Sequence, residues 1–322
     1  MQLREALHRG LEMLSASQVP SHELAAELLL MHVLGCDRAY LYTYPEARLS
    51  EAATRRYLEL IDERSAGKPT QYITGHQEFW GLDFEVTPDV LIPRPETEHV
   101  VESVLELAGS TGVPFASFRT GRPSLGRSPQ SASLRIVDVG TGSGCIALAL
   151  ASEVPGAELF AIDVSPAALG VACGNAARLG YADRVTFIEG DLLTPVLGHE
   201  LARTFDFVVS NPPYVGLDEL DSVQREVREF EPRLAWGGIE DSGAIYHRLF
   251  SQALEVLKPN GHVVVEIGYT MRDKVLALLG DGWTDCEVRP DLSGIPRVVT
   301  AKKSPLSVVL PQSEEGHAAN PQ

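Results

Sequence analysis

The stretch Ile136-Val137-Asp138-Val139-Gly140-Thr141-Gly142-Ser143-Gly144-Cys145-Ile146-Ala147-Leu148 constrains this chain more than any other. A β-rich run enters three alternating glycines and leaves as an apolar helix. Glycine adopts positive φ at no steric cost, so the turn can be tight and its backbone can approach a ligand closely. The helix that follows offers unpaired N–H groups at its start. The rest of the chain keeps the same rhythm. Leu134–Val139, Leu159–Ile162, Val185–Ile188, Phe205–Val209 and His262–Ile267 are short β-rich runs, separated mostly by helical stretches. Two further strand candidates lie near Thr284–Val288 and Arg297–Ala301. The pattern predicts an α/β fold, a parallel sheet with helices on both faces.

Asp163 stands at the end of the second strand, 19 residues beyond Gly144. A carboxylate there can hold both hydroxyls of a ribose. Strand, turn, helix and spaced acid together predict a nucleoside-type cofactor, bound by Gly140, Thr141, Gly142, Ser143, Gly144 and Asp163. The spacing is GxGxG, not the GxGxxG of dinucleotide binders. It favours S-adenosylmethionine, which carries no pyrophosphate, over NAD. Asp138 either orients the loop or meets the cationic amino-acid end of the cofactor. Gly190-Asp191-Leu192 follows the third strand, where a crevice at the carboxyl ends would bring it toward an adenine. A simple turn is the competing reading there. Ser165-Pro166 supply an N-cap and an N1 proline to the next helix.

The fourth strand ends in Ser210-Asn211-Pro212-Pro213-Tyr214. The di-proline breaks the ladder and leaves carbonyls that no local N–H can claim. With the Asn211 amide oxygen beside them and the flat face of Tyr214, they suit a planar –NH2 group. Two acceptors would take its two hydrogens, and the ring would pack on its plane. An amide or exocyclic amine is a poor nucleophile because its lone pair is delocalised. Acceptors on both hydrogens favour a pyramidal nitrogen and stabilise the charge that develops during attack. Alignment with a sulfonium methyl adds an orientation effect. Asn211, Pro212, Pro213 and Tyr214 are therefore the candidate catalytic residues, with no metal required.

Charge and composition narrow the partners. The 322 residues carry 27 Lys plus Arg against 44 Asp plus Glu, a formal charge of −17. Duplex phosphate repels such a chain unless a basic stripe overrides the field, so nucleic acid is not expected as a direct partner. No apolar run approaches the roughly 18 residues of a bilayer crossing. Met1–Gly10 reads as an amphipathic helix start without a signal-peptide core. The expectation is a cytoplasmic monomer. Cys36, Cys145, Cys173 and Cys286 lie far apart, without zinc-ligand spacing, and are each expected as small core residues in a reducing compartment.

Along the chain, residues 1–70 read as a small helical domain. Leu3, Ala6, Leu7, Leu11 and Leu14 form one stripe, Ser21 and Ser50 are candidate N-caps, and Gly35 is a stop. Thr70–Thr87 reads as a hairpin, and 71–108 as hairpin plus connecting helix. The segment Ile92-Pro93-Arg94-Pro95-Glu96-Thr97-Glu98 between them is expected to be extended and stiff. Residues 109–133, rich in Ser, Gly and Pro with Arg119, Arg122 and Arg127, read as a flexible loop, with a basic docking patch as the alternative. A catalytic domain at 134–303 and a disordered tail at 304–322 complete the organisation. Trp80 and Trp236 are expected as packing aromatics and His247 as a structural histidine. The charged run Glu226–Glu231, in an acidic helix Asp218–Glu231, is expected as a solvated face able to meet a basic partner.

The glycine turn and strand rhythm resemble those of class I S-adenosylmethionine-dependent methyltransferases. Asn211-Pro212-Pro213-Tyr214 is similar to the NPPY motif shared by adenine-N6, cytosine-N4 and glutamine-N5 methylators. Ile92–Glu98 looks like the IPRPETE segment of the HemK-like protein-glutamine methyltransferases. The helical N-terminus matches their layout, and Asp291-Leu292-Ser293-Gly294-Ile295-Pro296-Arg297-Val298 resembles their C-terminal strand-turn-strand. The likeness reaches to about Lys303 and is nearest to the release factor glutamine methyltransferases. It implies a Rossmann-like, mostly parallel seven-stranded sheet and methylation of the Gly-Gly-Gln glutamine of class 1 peptide chain release factors. It also implies cofactor contacts from Gly140 to Gly144, Asp163, Leu192 and Asn211, and an amide pocket completed by Pro212 and Tyr214. The N-terminal helices would help to dock the release factor. Several relatives carry an aromatic where Leu192 stands, which implies weaker stacking on the adenine. Glutamine methylation of a ribosomal protein is the nearer alternative, and N6-adenine methylation the more distant one.

Overall fold

The computed structural model describes residues 1–110, 133–198, 200–239 and 241–305. Its N-terminal part is helical: α1 (Leu3–Ala16), α2 (His22–Leu34), α3 (Arg38–Thr43), α4 (Glu51–Ser65) and α5 (Thr70–Thr74). The stripe of α1 buries Leu3, Ala6 and Leu14 against Leu29 and Leu30 of α2 and Leu60 and Ile61 of α4, with Leu7 and Leu11 at its border. Ser50 caps α4, its Oγ accepting the Ala53 N–H at 3.1 Å, and Gly35 ends α2 with φ 60°. Ser21 does hold the N-cap position of α2, but at φ 49° its hydroxyl accepts no capping bond. Gly10 is fixed by packing. A Cβ there would lie 2.0 Å from the Tyr57 hydroxyl oxygen, so only a bare helix face lets α1 and α4 close.

The stretch expected wholly as a hairpin divides in two. Its first five residues form α5, and the hairpin is confined to β1 (His76–Phe79) and β2 (Leu82–Glu85). The Ile92–Glu98 segment is likewise extended only as far as Arg94. Pro95, whose fixed φ suits a first helical position, opens a 3₁₀ turn at Pro95–Thr97 that runs into α6 (Glu98–Ser110). That helix takes the first two residues of the expected loop, and 111–132 lie outside the described residues, as does the tail beyond Pro305.

The remainder is α/β. In chain order it comprises β3 (Arg135–Val139), α7 (Cys145–Glu153), β4 (Glu158–Asp163), α8 (Pro166–Leu179), β5 (Val185–Glu189) and β6 (Phe205–Ser210). Then follow β7 (Val215–Gly216), α9 (Arg225–Phe230), α10 (Arg233–Trp236), β8 (Gly237–Ile239), α11 (Ala244–Val256), β9 (Leu257–Glu266), α12 (Arg272–Ala277), β10 (Trp283–Pro290) and β11 (Pro296–Lys303). Seven strands form one sheet in the order β10-β11-β9-β6-β3-β4-β5. The five strands from β9 to β5 are parallel; β11 pairs antiparallel with β9, and β10 pairs antiparallel with β11. Every predicted strand is present.

Period-two alternation sends the side chains to two cores. Ile136, Phe207, Val209 and Val264 pack with α6 and α7 on one face. Val137, Val139, Val208, Val263 and Val265 pack with α11 on the other. The sheet is thus buried on both sides, as near-continuous apolar runs require.

Three expectations are corrected by this packing. Residues 218–231 are not one acidic helix, but a 3₁₀ turn at Leu217–Ser222 followed by the short α9. Nor is 226–231 a wholly solvated face. Glu226 pairs with the buried Arg64 of α4 at 2.9 Å, and Glu231, only 6% exposed, pairs with Arg94 and accepts the Ile92 N–H at 3.3 Å. The first joins the helical part to the α/β part, and the other two tie the Ile92–Glu98 segment to it. Finally, Cys173 and Cys286 are exposed and Cys36 and Cys145 only half-buried, all four as free thiols. Trp236 does pack, 7% exposed. Trp80 is half-buried, its indole N–H bonded to Glu153 at 2.9 Å. His247 is exposed on α11, outside any core.

Gly10→Ala is expected to destabilise the helical part by about 1–3 kcal/mol through overpacking. A thermal melt should show its transition lowered, with partial recovery when Tyr57→Phe is added. An unchanged melt would contradict the close approach of α1 to Tyr57.

Candidate active site

β4 continues the sheet on one side of β3, and β6 on the other. The loops after these strands therefore diverge at their carboxyl ends, and a crevice opens between them. It is a cleft of about 740 Å³, walled by the glycine turn, Asp163, Leu192, Asn211, Thr97 and Arg94, among others. That size suits a cofactor-sized ligand.

The glycine turn has the geometry its sequence asks for. Gly140, Gly142 and Gly144 have φ of 73°, 56° and 83°. A Cβ at Gly140 or Gly142 would meet nothing within 4 Å, so their backbone faces open space. Two acids pin the turn. Asp138, fully buried beneath it, accepts the Thr141 hydroxyl at 2.6 Å and the Ala147 N–H at 3.3 Å. It does not line the cleft, so loop orientation is the role the structure assigns it. Burial pushes its carboxyl up to about 7, against the opposing pull of those two donors. Asp163 holds the turn from the neighbouring strand, accepting Gly142 N–H and Ser165 N–H at 2.9 Å each. A carboxylate oxygen takes more than one hydrogen bond, so both oxygens retain capacity toward a ligand in the cleft.

Leu192 lines the same wall, 8% exposed and at φ 53°, with Ile245 nearby in the lining. Gly190, Asp191 and Leu192 all line the cleft. Open backbone, an accepting carboxylate and an apolar wall are the surroundings a nucleoside-bearing sulfonium cofactor needs. The cleft fits S-adenosylmethionine.

Opposite the turn, β6 delivers Asn211, Pro212 and Pro213 to the cleft. Asn211 Nδ2 donates to the Thr97 hydroxyl at 3.1 Å, which donates in turn to Glu266 Oε2 at 2.6 Å. With one NH2 hydrogen given to Thr97, the Asn211 Oδ1 keeps its capacity to accept. Tyr214 is placed differently from its expected role. Its ring packs toward Gly268 and Met271, its hydroxyl approaches Glu266 at 3.5 Å, and it is not among the residues walling the cleft. Burial raises its hydroxyl's pKa well above the ordinary value.

Three contributors escaped motif reading. Thr97 lies inside the Ile92–Glu98 segment and carries the Asn211 amide. Glu266 could have been noticed as a single acid closing the buried apolar run Val263–Ile267. Asn175, fully buried on α8, bonds Ser143 O and Glu85 O at 3.0 Å each, tying the glycine turn to β2; nothing in its helical surroundings signals that role.

Residues 5–75 match the family model described as the PrmC N-terminal domain, and 130–281 that of a methyltransferase domain. The release factor glutamine methyltransferase of Koribacter versatilis is 49% identical over 303 residues, 94% of this chain and 99% of that protein. The enzyme of the same name from Moorella thermoacetica is 42% identical, covering 94% and 98%. That of Nitratidesulfovibrio vulgaris is 36% identical, covering 94% and 95%. Likeness of this degree, over nearly the whole of each chain and on a sheet and cleft of this kind, makes the chain a member of the release factor glutamine methyltransferase family, S-adenosylmethionine-dependent enzymes of the class I fold.

Proposed function

We propose that this protein methylates the side-chain amide nitrogen of the glutamine in the Gly-Gly-Gln motif of class 1 peptide chain release factors. The observation that supports the reading is the Asn211 amide at the cleft, its NH2 donating to the Thr97 hydroxyl, which leaves its Oδ1 as an available acceptor. An acceptor so placed suits a substrate nitrogen that bears two hydrogens and little nucleophilicity. S-adenosylmethionine supplies the electrophilic methyl group.

Asn211 Oδ1 takes one hydrogen of the substrate amide, and the Pro212 carbonyl takes the other. Both bonds strengthen as the nitrogen becomes positive, so they favour the transition state over the ground state. Pro213 stiffens the turn that holds them, and Tyr214 buttresses it from behind. Gly140, Thr141, Gly142, Ser143 and Gly144 cradle the amino-acid end of the cofactor, Asp163 its ribose, and Leu192 its adenine. The helical residues 1–70 dock the release factor, while 134–303 carry the chemistry. The protein acts as a monomer, in the cytoplasm, on a protein and without nucleic acid.

Incubation of a purified class 1 release factor with this protein and S-adenosylmethionine should add the mass of one methylene to the Gly-Gly-Gln glutamine. No gain, with cofactor binding intact, would reject this substrate and leave a ribosomal protein as the next to try. Asn211→Ala should lower turnover by about 10²–10³-fold, as removal of one transition-state partner does, with the melting temperature unchanged. Asp163→Ala should weaken cofactor affinity about tenfold or more, the scale of a charged hydrogen bond. Calorimetry showing wild-type affinity would remove Asp163 from the cofactor site.

A further inference from the structure

Glu266 ends β9 beside Val263, Val264, Val265 and Ile267, and is itself 2% exposed. Burying a carboxylate is costly unless it is well bonded, and the bonds it makes here are with neutral hydroxyls. Thr97 donates to its Oε2 at 2.6 Å, Tyr214 approaches its Oε1 at 3.5 Å, and Tyr246 donates to its main-chain oxygen at 2.9 Å. The Thr97 hydroxyl links this acid to Asn211.

A hydroxyl has one proton. An ionised carboxylate only accepts, so the Thr97 proton must point at Glu266, and Thr97 can offer Asn211 nothing but a lone pair. Asn211 must then turn its NH2 toward Thr97 and its oxygen toward the cleft. A protonated Glu266 reverses the logic. It can donate to Thr97, whose own proton is then free to turn to Asn211 Oδ1. The amide rotates, and its NH2 meets the hydrogens of an incoming amide, donor against donor.

We propose that Glu266 is a positioning residue which, through Thr97, decides whether Asn211 presents an acceptor or a donor to the substrate, and that protonation of Glu266 switches the acceptor off. The proposal rests on the glutamine-amide reading of the site. Burial lifts the Glu266 carboxyl to about 7; the Thr97 bond and the charge of Arg297 pull it down, and Glu96 pushes it further up. Tyr214, Tyr246 and Cys145 are the other titratable groups that feel it, and burial raises all three above their ordinary values, so they stay neutral where Glu266 titrates. The acceptor is therefore set above that pH and lost below it.

The chain has four asparagines, Asn175, Asn211, Asn260 and Asn320, so nitrogen-15-labelled asparagine gives four side-chain NH2 pairs, and Asn211→Ala identifies one of them. In the wild-type protein the Asn211 pair should shift with a midpoint at about 7, and kcat on the release factor should fall through the same midpoint as pH drops. Thr97→Val should abolish that titration and lower kcat by about tenfold or more, with cofactor affinity unchanged, whereas Thr97→Ser should restore both. Should Thr97→Val not fold, Glu266→Gln, which cannot ionise, must show an Asn211 signal that ignores pH. An Asn211 pair that stays fixed from about pH 5.5 to about pH 9, or a Thr97→Val enzyme with wild-type kcat, overturns the relay. If the wild-type protein methylates no release factor, the substrate reading fails, while the Asn211 titration still decides the relay by itself.

Discussion

Two carboxylates hold the glycine turn from opposite sides, and the working geometry of the molecule depends on that clamp. Asp138 reaches up from β3 to Thr141 and Ala147, and Asp163 reaches across from β4 to Gly142. A turn of three positive-φ glycines is entropically expensive to order, and two side chains on adjacent parallel strands fix it without filling the space above it. Gly140 N–H and Thr141 N–H complete the anchorage by bonding Ile162 O at 2.8 and 3.0 Å. The backbone facing the cleft is thereby rigid while remaining open.

The same economy joins the two parts of the chain. Arg64 reaches from α4 to Glu226, and Arg94 from the Ile92–Glu98 segment to Glu231. The Ile92–Glu98 segment is thus held at one end by Glu231 and at the other by Glu266, through Thr97. It lies between the helical part and the cleft, and its Pro93, Arg94 and Thr97 wall the cleft directly. Removing one member of such a buried pair costs more than the pair itself contributes, because a charge is left without its partner.

The fold was legible because its signals are local and repeated. Strand runs such as Phe205–Val209 are apolar over their whole length, the glycines sit where β3 must turn, and Ser165-Pro166 does cap α8, its Oγ accepting Ala168 N–H at 3.2 Å. Asn211 and the glycine turn were legible for the same reason: each motif occupies a handful of consecutive residues. What stayed hidden involves partners far apart in sequence. Thr97, Asn211 and Glu266 are separated by more than a hundred residues in one case and by more than fifty in the other; the sheet order sets β6 beside β9, and the packing of α6 on both brings Thr97 to them. Tyr214 could be assigned to the pocket by its neighbours in the motif, yet its direction is set by Gly268 on another strand's exit. Glu226 and Glu231 looked solvated because a charged run says nothing of Arg64 and Arg94.

The net charge of −17 overstates the acidity of the surface. Glu27, Asp138, Glu153, Glu231 and Glu266 are all buried, and their partners differ in kind. Glu27 and Glu231 each meet an arginine. Around Glu231 burial outweighs the opposing charge of Arg94, so its carboxyl lies above the ordinary value even with an arginine partner. Glu153 accepts an indole N–H. Asp138 and Glu266 are bonded by hydroxyls and N–H groups, and burial raises both to about 7. Acids of this second kind lie next to the glycine turn and next to Asn211, the two places where orientation matters most. A hydroxyl partner has one proton to give and lone pairs to offer, so it can adjust to either protonation state of the acid. Threonine thus links each of these acids to a neighbour, Thr141 within the glycine turn and Thr97 to Asn211 at the cleft.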